Sequence, residues 1–88
     1  MARKIPPLGS VRAFESAARH LNFTRAAEEL GMTQAAVSWQ IRALEDRLGV
    51  PLFERHKKGL TLTPAGAALA PDVTDALGRL ASAFQTLE

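Results

Sequence analysis

The apolar residues recur along the chain in patterns that predict four helices and one β-hairpin. A first helix is expected over residues 10–19, where Val11, Phe14, Ala18 and Leu21 fall three or four apart and make one stripe. Ser10 is its expected N-cap and Asn22 its stop. A short second helix is expected over 24–30, capped by Thr24, with Ala26, Ala27 and Leu30 buried. Gly31 ends it, because glycine adopts the left-handed conformation of a helix end without a Cβ clash. Thr33 caps a third helix, and Met32 before it is placed to pack on Val37 as a hydrophobic staple. Val37, Ile41, Leu44 and Leu48 form the buried stripe of this helix, which Gly49 and Pro51 close.

The pattern then changes period. Residues 52–55 and 60–63 are short β-prone runs flanking the polar turn His56-Lys57-Lys58-Gly59, which reads as a hairpin. A lone hairpin is marginal, so it must pack on the helices. Thr63-Pro64 opens the last helix, with threonine as cap and proline at the first helical position. Val73, Leu77, Leu80, Phe84 and Leu87 recur at spacings of four, three, four and three, a heptad seam that predicts pairing with a second copy. Pro71 lies inside this helix and is expected to kink it or delay its start, since it removes a hydrogen bond to Ala67.

Composition narrows the function. Eighty-eight residues suffice for one core. At 47% hydrophobic and 23% charged the chain has the balance of a folded protein rather than a disordered one. It has no cysteine, which removes disulfides, thiolate catalysis and thiolate metal sites and points to the cytoplasm. No apolar stretch is long enough to span a bilayer, and residues 1–7 carry the basic pair Arg3 and Lys4 without the apolar core of a signal peptide. Residues 1–64 hold ten Lys/Arg against six Asp/Glu, whereas residues 65–88 hold one against three. Positive charge is therefore concentrated where the motifs lie, a weak pointer to a polyanion that an ordinary soluble surface would also satisfy.

The stronger signal is the relation between the second and third helices. Ala27 allows close crossing, Gly31 makes the sharp turn, and Val37 plugs the third helix into the second. That is the packing logic of a helix-turn-helix, whose second helix enters the major groove. At about 100° per residue, Gln34, Ala35, Ser38, Trp39 and Arg42 share one arc, away from the buried stripe. Gln34 has the groups to pair with adenine, Ala35 to touch a thymine methyl, Ser38 to bond a base edge or phosphate, and Trp39 to make a large apolar contact. Arg42 is placed for phosphate. Any one of these, taken singly, fits a solvated surface position better; the coincidence of the whole face carries the argument. Arg55, His56, Lys57 and Lys58 at the hairpin tip suit a minor groove or a phosphate backbone. Thr24 and Arg25 are placed to hold a phosphate at the start of the second helix.

The runs Phe23-Thr-Arg-Ala-Ala-Glu-Glu-Leu, Thr33-Gln-Ala-Ala-Val-Ser, Gln40-Ile-Arg-Ala-Leu-Glu, Leu48-Gly-Val-Pro-Leu-Phe-Glu-Arg and Leu62-Thr-Pro-Ala-Gly resemble, in order and spacing, the N-terminal domain of LysR-type transcriptional regulators. The Pro6-Pro-Leu start and the segment Ala17-Ala-Arg-His-Leu-Asn-Phe-Thr are most similar to the glycine-cleavage activator branch. The resemblance implies a mainly α fold with a small β-hairpin, a winged helix-turn-helix followed by a long linker helix that pairs antiparallel with its twin. It implies that Thr33, Gln34, Ala35 and Ser38 read the major groove and that Arg55 enters the minor groove. Two positions depart from the pattern. Many members carry proline where this chain has Ala35, and arginine or histidine where it has Trp39.

These readings combine into one expectation. Residues 1–63 form the DNA-binding unit and 64–88 the dimerisation helix, about 36 Å long at ~1.5 Å per residue. A homodimer binds double-stranded DNA at an interrupted palindrome, with recognition helix 33–48 in the major groove and wing 52–63 at the minor groove. The family's effector-binding domain is absent from this sequence, so a small-molecule effector would bind only that missing part, and the full-length protein is free to form a higher oligomer. No cofactor, metal site or catalysis is expected, because His20 and His56 are the only histidines and neither stands in a nucleophile–base set. The rival reading is a protein-interaction module that docks through the last helix.

Overall fold

The computed structural model describes residues 4–88, so Arg3 of the basic pair lies outside the described residues. The elements are α1 (Leu8–His20), α2 (Phe23–Leu30), α3 (Gln34–Leu48), β1 (Phe53–His56), β2 (Gly59–Leu62) and α4 (Pro64–Gln85). The architecture is the expected one, four helices and an antiparallel two-stranded hairpin. Among the described residues, no helix is long and apolar enough to cross a membrane.

Helices α1, α2 and α3 cross through small residues. Ala13, Ala17, Ala26 and Ala27 are all buried at these crossings, where a larger side chain would hold the backbones apart. Phe14, Val37, Ile41, Leu44, Leu52 and Phe53 fill the space between them. Three aromatic rings form the centre. Phe14 and Phe53 lie 5.7 Å apart, and Phe23 meets Phe53 edge-on at 5.5 Å. The wing is thereby packed on α1 and α2, which satisfies the requirement that a short hairpin not stand alone.

The predicted caps of α3 and α4 and the Gly49 end of α3 stand as read, whereas α4 stops at Gln85 rather than running to residue 88. Thr33 accepts from the Ala36 amide and Thr63 from the Gly66 amide. Gly49 closes α3 in the left-handed conformation at φ 72°. The hairpin pairs Phe53 with Leu62 and His56 with Gly59, leaving Lys57 and Lys58 as a two-residue turn.

Several expectations are corrected. Ser10 is not a cap. α1 begins at Leu8 after Pro7, and Ser10 is buried, donating to Gln40 Oε1 at 2.6 Å. The inward face of α1 is Ser10, Ala13, Phe14, Ser16 and Ala17; Val11 and Ala18 are half-buried and Leu21 is exposed. The stripe is rotated because close helix crossing selects the small residues rather than the largest apolar ones. Thr24 is not the cap of α2. Asn22 is, its side chain accepting from the Arg25 amide at 2.9 Å, so α2 starts at Phe23. Leu48 is exposed and falls outside the α3 stripe, since the helix has run past the core by its last turn. Pro71 does not delay α4, which runs unbroken through it from Pro64.

Candidate nucleic-acid interface

One helix supplies both the anchor and the outward face. Val37, Ile41 and Leu44 of α3 are buried, whereas Gln34, Ala35, Trp39 and Arg42 are exposed and Ser38 is half-buried. Thr33, the cap, is exposed at the head of the same helix. The 3.6-residue period thus divides α3 into a fixed inner side and a free ridge.

The wing stands beside the head of this ridge. An open cleft of ≈ 280 Å³ is lined by Asn22, Phe23, Thr24, Gln34, Arg55 and His56, among others. Three elements that are far apart in sequence meet there. The Arg55 guanidinium lies over the Phe23 ring, 5.0 Å from its centroid. His56 Nε2 is 2.9 Å from Thr61 Oγ1, across the hairpin, and 3.6 Å from Glu54 Oε2. Lys57 and Lys58 project at the tip, fully outside this cleft. Arg25 is exposed, but its amide is held by Asn22, which removes one of the backbone donors expected at the start of α2. Trp39 and Arg42 do not line this cleft. Trp39 borders a second one, of ≈ 440 Å³, together with Pro6, Pro7, Ser10, Gln40 and Arg47.

Sequence reasoning missed two supports of this surface. Phe23 carries Arg55, and nothing local signals a pairing across thirty residues. Glu45 accepts from the amides of Leu52 and Phe53, at 2.7 and 3.3 Å, and so ties the end of α3 to the start of the wing. A carboxylate three residues from a helix end gives no hint of that partner. The Asn22 cap was missed too, because Asn22 was read as the stop of the first helix and Thr24 as the cap, although an Asx side chain three residues before an amide donor is an ordinary N-cap arrangement.

A polar network sits where α1, α2 and α4 meet. Arg19 donates to Glu15 at 2.9 Å and to Glu29 at 2.6 Å, and Ser16 donates to Glu29 at 2.6 Å. Thr74 of α4 donates to Glu15 at 3.0 Å. The hydrogen bonds from Arg19, then Ser16, hold the Glu29 carboxyl down at about 2. The Arg19 hydrogen bond also lowers Glu15, and the same pairs raise the Arg19 guanidinium further. Among the described residues, no group of acidic or histidine side chains could hold a metal ion.

The seam residues of α4 divide. Val73 is half-buried against the core of its own chain, contrary to a purely intermolecular role. Leu77 is half-buried beside Arg12 and Leu30. Leu80 and Phe84 are exposed on α4, and Leu87 is exposed just beyond its end at Gln85.

A helix-turn-helix with an open recognition ridge, a basic two-stranded wing beside it and a long helix behind defines a winged helix-turn-helix regulator domain. Residues 8–67 match the bacterial regulatory helix-turn-helix proteins of the lysR family, and the chain belongs to that family. Over all 88 residues it is 52% identical to the HTH-type transcriptional activator AmpR of Pseudomonas aeruginosa, of which it spans 30%. It is 49% identical, also over its whole length, to the glycine cleavage system transcriptional activator of Escherichia coli K12, of which it spans 29%. The chain therefore covers less than a third of these relatives. The CbnR DNA-binding domain, solved in complex with DNA, superposes with a TM-score of 0.80 at 31% identity, covering 92% of this chain and 93% of that one.

Proposed function

We propose that this chain binds double-stranded DNA sequence-specifically, as a homodimer, and regulates transcription in the bacterial cytoplasm. The observation that carries the reading is the division of α3: Gln34, Ala35, Trp39 and Arg42 lie free while Val37, Ile41 and Leu44 of the same helix are locked in the core. A rigid, exposed ridge is what groove reading requires, because each side chain must reach a base edge without first being ordered. The relative solved with DNA supports it.

In this reading Thr33, Gln34, Ala35, Ser38 and Trp39 meet bases. Arg42, Thr24 and Arg25 meet phosphates. Arg55 enters the minor groove, with His56, Lys57 and Lys58 along its backbone. Residues 1–63 are the DNA-binding unit. Residues 64–88 are the linker helix, which pairs with a second copy through Leu77, Leu80, Phe84 and Leu87, with Val73 shared between that seam and its own core. The 22 residues of α4 measure about 33 Å at ~1.5 Å per residue, close to the ~34 Å that separates successive major grooves on one face of DNA. The operator is then an interrupted palindrome.

Selection of bound sequences from random duplexes tests the reading. A symmetric, spaced consensus with salt-dependent affinity is expected. Equal recovery of all sequences, or affinity indifferent to salt, would refute it.

A further inference from the structure

Trp39 is the only tryptophan in the chain and keeps 66% of its surface exposed. It stands one helical turn after Ala35, which is also exposed, so two apolar side chains are aligned on a ridge otherwise made of Gln34, Ser38 and Arg42. The indole has a wall beside it. Pro6 and Pro7 form the far side of the ≈ 440 Å³ cleft that Trp39 borders. That wall is tied to α3 at two points, by Ser10 donating to Gln40 at 2.6 Å and by Arg47 donating to the Ile5 carbonyl at 3.4 Å. Each proline has its φ fixed by its ring, so the wall is stiff. No carboxylate lines the cleft.

An indole has one N–H donor and no acceptor, so it cannot pair bidentately with a base edge. What it offers is apolar area. The only apolar group that a base pair presents in the major groove is the C5-methyl of thymine. We propose that Trp39, with Pro6 and Pro7 lining the same cleft beside it, is a specificity-determining residue that reads a pyrimidine C5-methyl group. Thymine is then favoured over uracil, and 5-methylcytosine over cytosine, at one position of each half-site. The assignment rests on the DNA-binding reading above and gives that surface a definite chemical preference.

The test starts from a duplex carrying the selected site. Each thymine is replaced in turn by deoxyuridine, which keeps every hydrogen-bonding group and lacks only the methyl. Affinity is measured for the unaltered chain and for Trp39→Ala, whose fold is checked by circular dichroism and thermal melting. At one position the unaltered chain should lose about four-fold, the equivalent of one buried methyl-sized group, and Trp39→Ala should lose nothing there. Cytosine and 5-methylcytosine at that position should differ by a similar factor, again only when Trp39 is present. Because Trp39 is the sole tryptophan, its fluorescence should respond more to the thymine duplex than to the uracil duplex. Replacing both prolines, Pro6→Gly with Pro7→Gly, should shrink the methyl discrimination; full retention would overturn the part assigned to the proline wall. Uracil duplexes bound as well as thymine duplexes at every position, or no position at which the methyl effect disappears in Trp39→Ala, would overturn the assignment while leaving DNA binding intact. Failure of the unmodified duplex to bind would bring down both, and that result is read first.

Discussion

Phe23 and Arg55 are stacked: the first residue of α2 lies beneath the guanidinium of a wing residue, 5.0 Å from ring centroid to cation. Phe23 is itself held edge-on by Phe53, and Phe53 leans on Phe14. A chain of three rings therefore leads from the core to the side chain proposed for the minor groove. The stack is worth about 0.5–1 kcal/mol at an exposed site. Phe23→Leu, which keeps an apolar side chain but no π face, should weaken DNA binding by about two- to five-fold. In an Arg55→Ala background the same change should have no further effect on binding. A double-mutant cycle on one duplex measures this, and additive losses would show that the two act separately.

Glu45 should matter to stability more than its partial exposure suggests. Removing its carboxylate in Glu45→Ala strands the amides of Leu52 and Phe53, both in buried residues. Leaving buried donors unpaired costs about 1–3 kcal/mol. Glu45→Gln, which still offers an acceptor, should lose less. Urea unfolding of the two variants gives the comparison, and an unaltered midpoint for Glu45→Ala would contradict it.

The Arg19 network predicts acid sensitivity. The folded Glu29 carboxyl is held at about 2 against an ordinary 4.5, and Glu15 is also lowered. A depressed carboxyl contributes stability that is fully present above its unfolded value and is lost as pH falls toward the folded one. The thermal midpoint should therefore drop between about 4.5 and about 2. Arg19→Met should flatten much of that part of the profile, because it removes the largest of the hydrogen bonds that lower both carboxyls and leaves only those from Ser16 and Thr74. An Arg19→Met profile parallel to that of the unaltered chain would rule the network out as the cause.

Two glycines of α4 should respond to alanine in opposite directions. A Cβ on Gly66 would collide with the backbone carbonyl oxygen of Leu52, where α4 passes against the start of the wing. Gly66→Ala should cost about 2 kcal/mol or more through the forced backbone shift. Gly78 has open space around it, so Gly78→Ala should be neutral or stabilise α4 by up to about 1 kcal/mol. Chemical denaturation separates the two, and similar effects at both sites would remove the close approach as the explanation.

Elements whose ends are written in local chemistry were legible in advance. Thr33 and Thr63 cap the helices that follow them, Gly49 closes α3, and the basic turn marks the hairpin, because each depends only on residues within a turn or two. The free ridge of α3 was legible for the same reason, since the helical period alone separates Gln34 and Trp39 from Val37 and Ile41. The inward face of α1 was not. Phe14 was found, but Ser10, Ser16 and Ala17 are buried because other helices press on them, a fact no stripe of large apolar residues records. Val73 was read only as a seam residue for the same reason: its contact with its own core depends on how α4 lies against α1.

Period, caps and turn residues thus determined which segments of this chain are helix or strand and which side of α3 is free, since these follow from backbone geometry and side-chain type over short distances. Only the tertiary structure decided which distant residues share a surface: Arg55 on Phe23, Glu45 on the amides of Leu52 and Phe53, Trp39 in one cleft with Pro6 and Pro7. Those pairings are set by how helices and hairpin pack around one aromatic centre, and packing is a property of the whole fold rather than of any stretch of sequence.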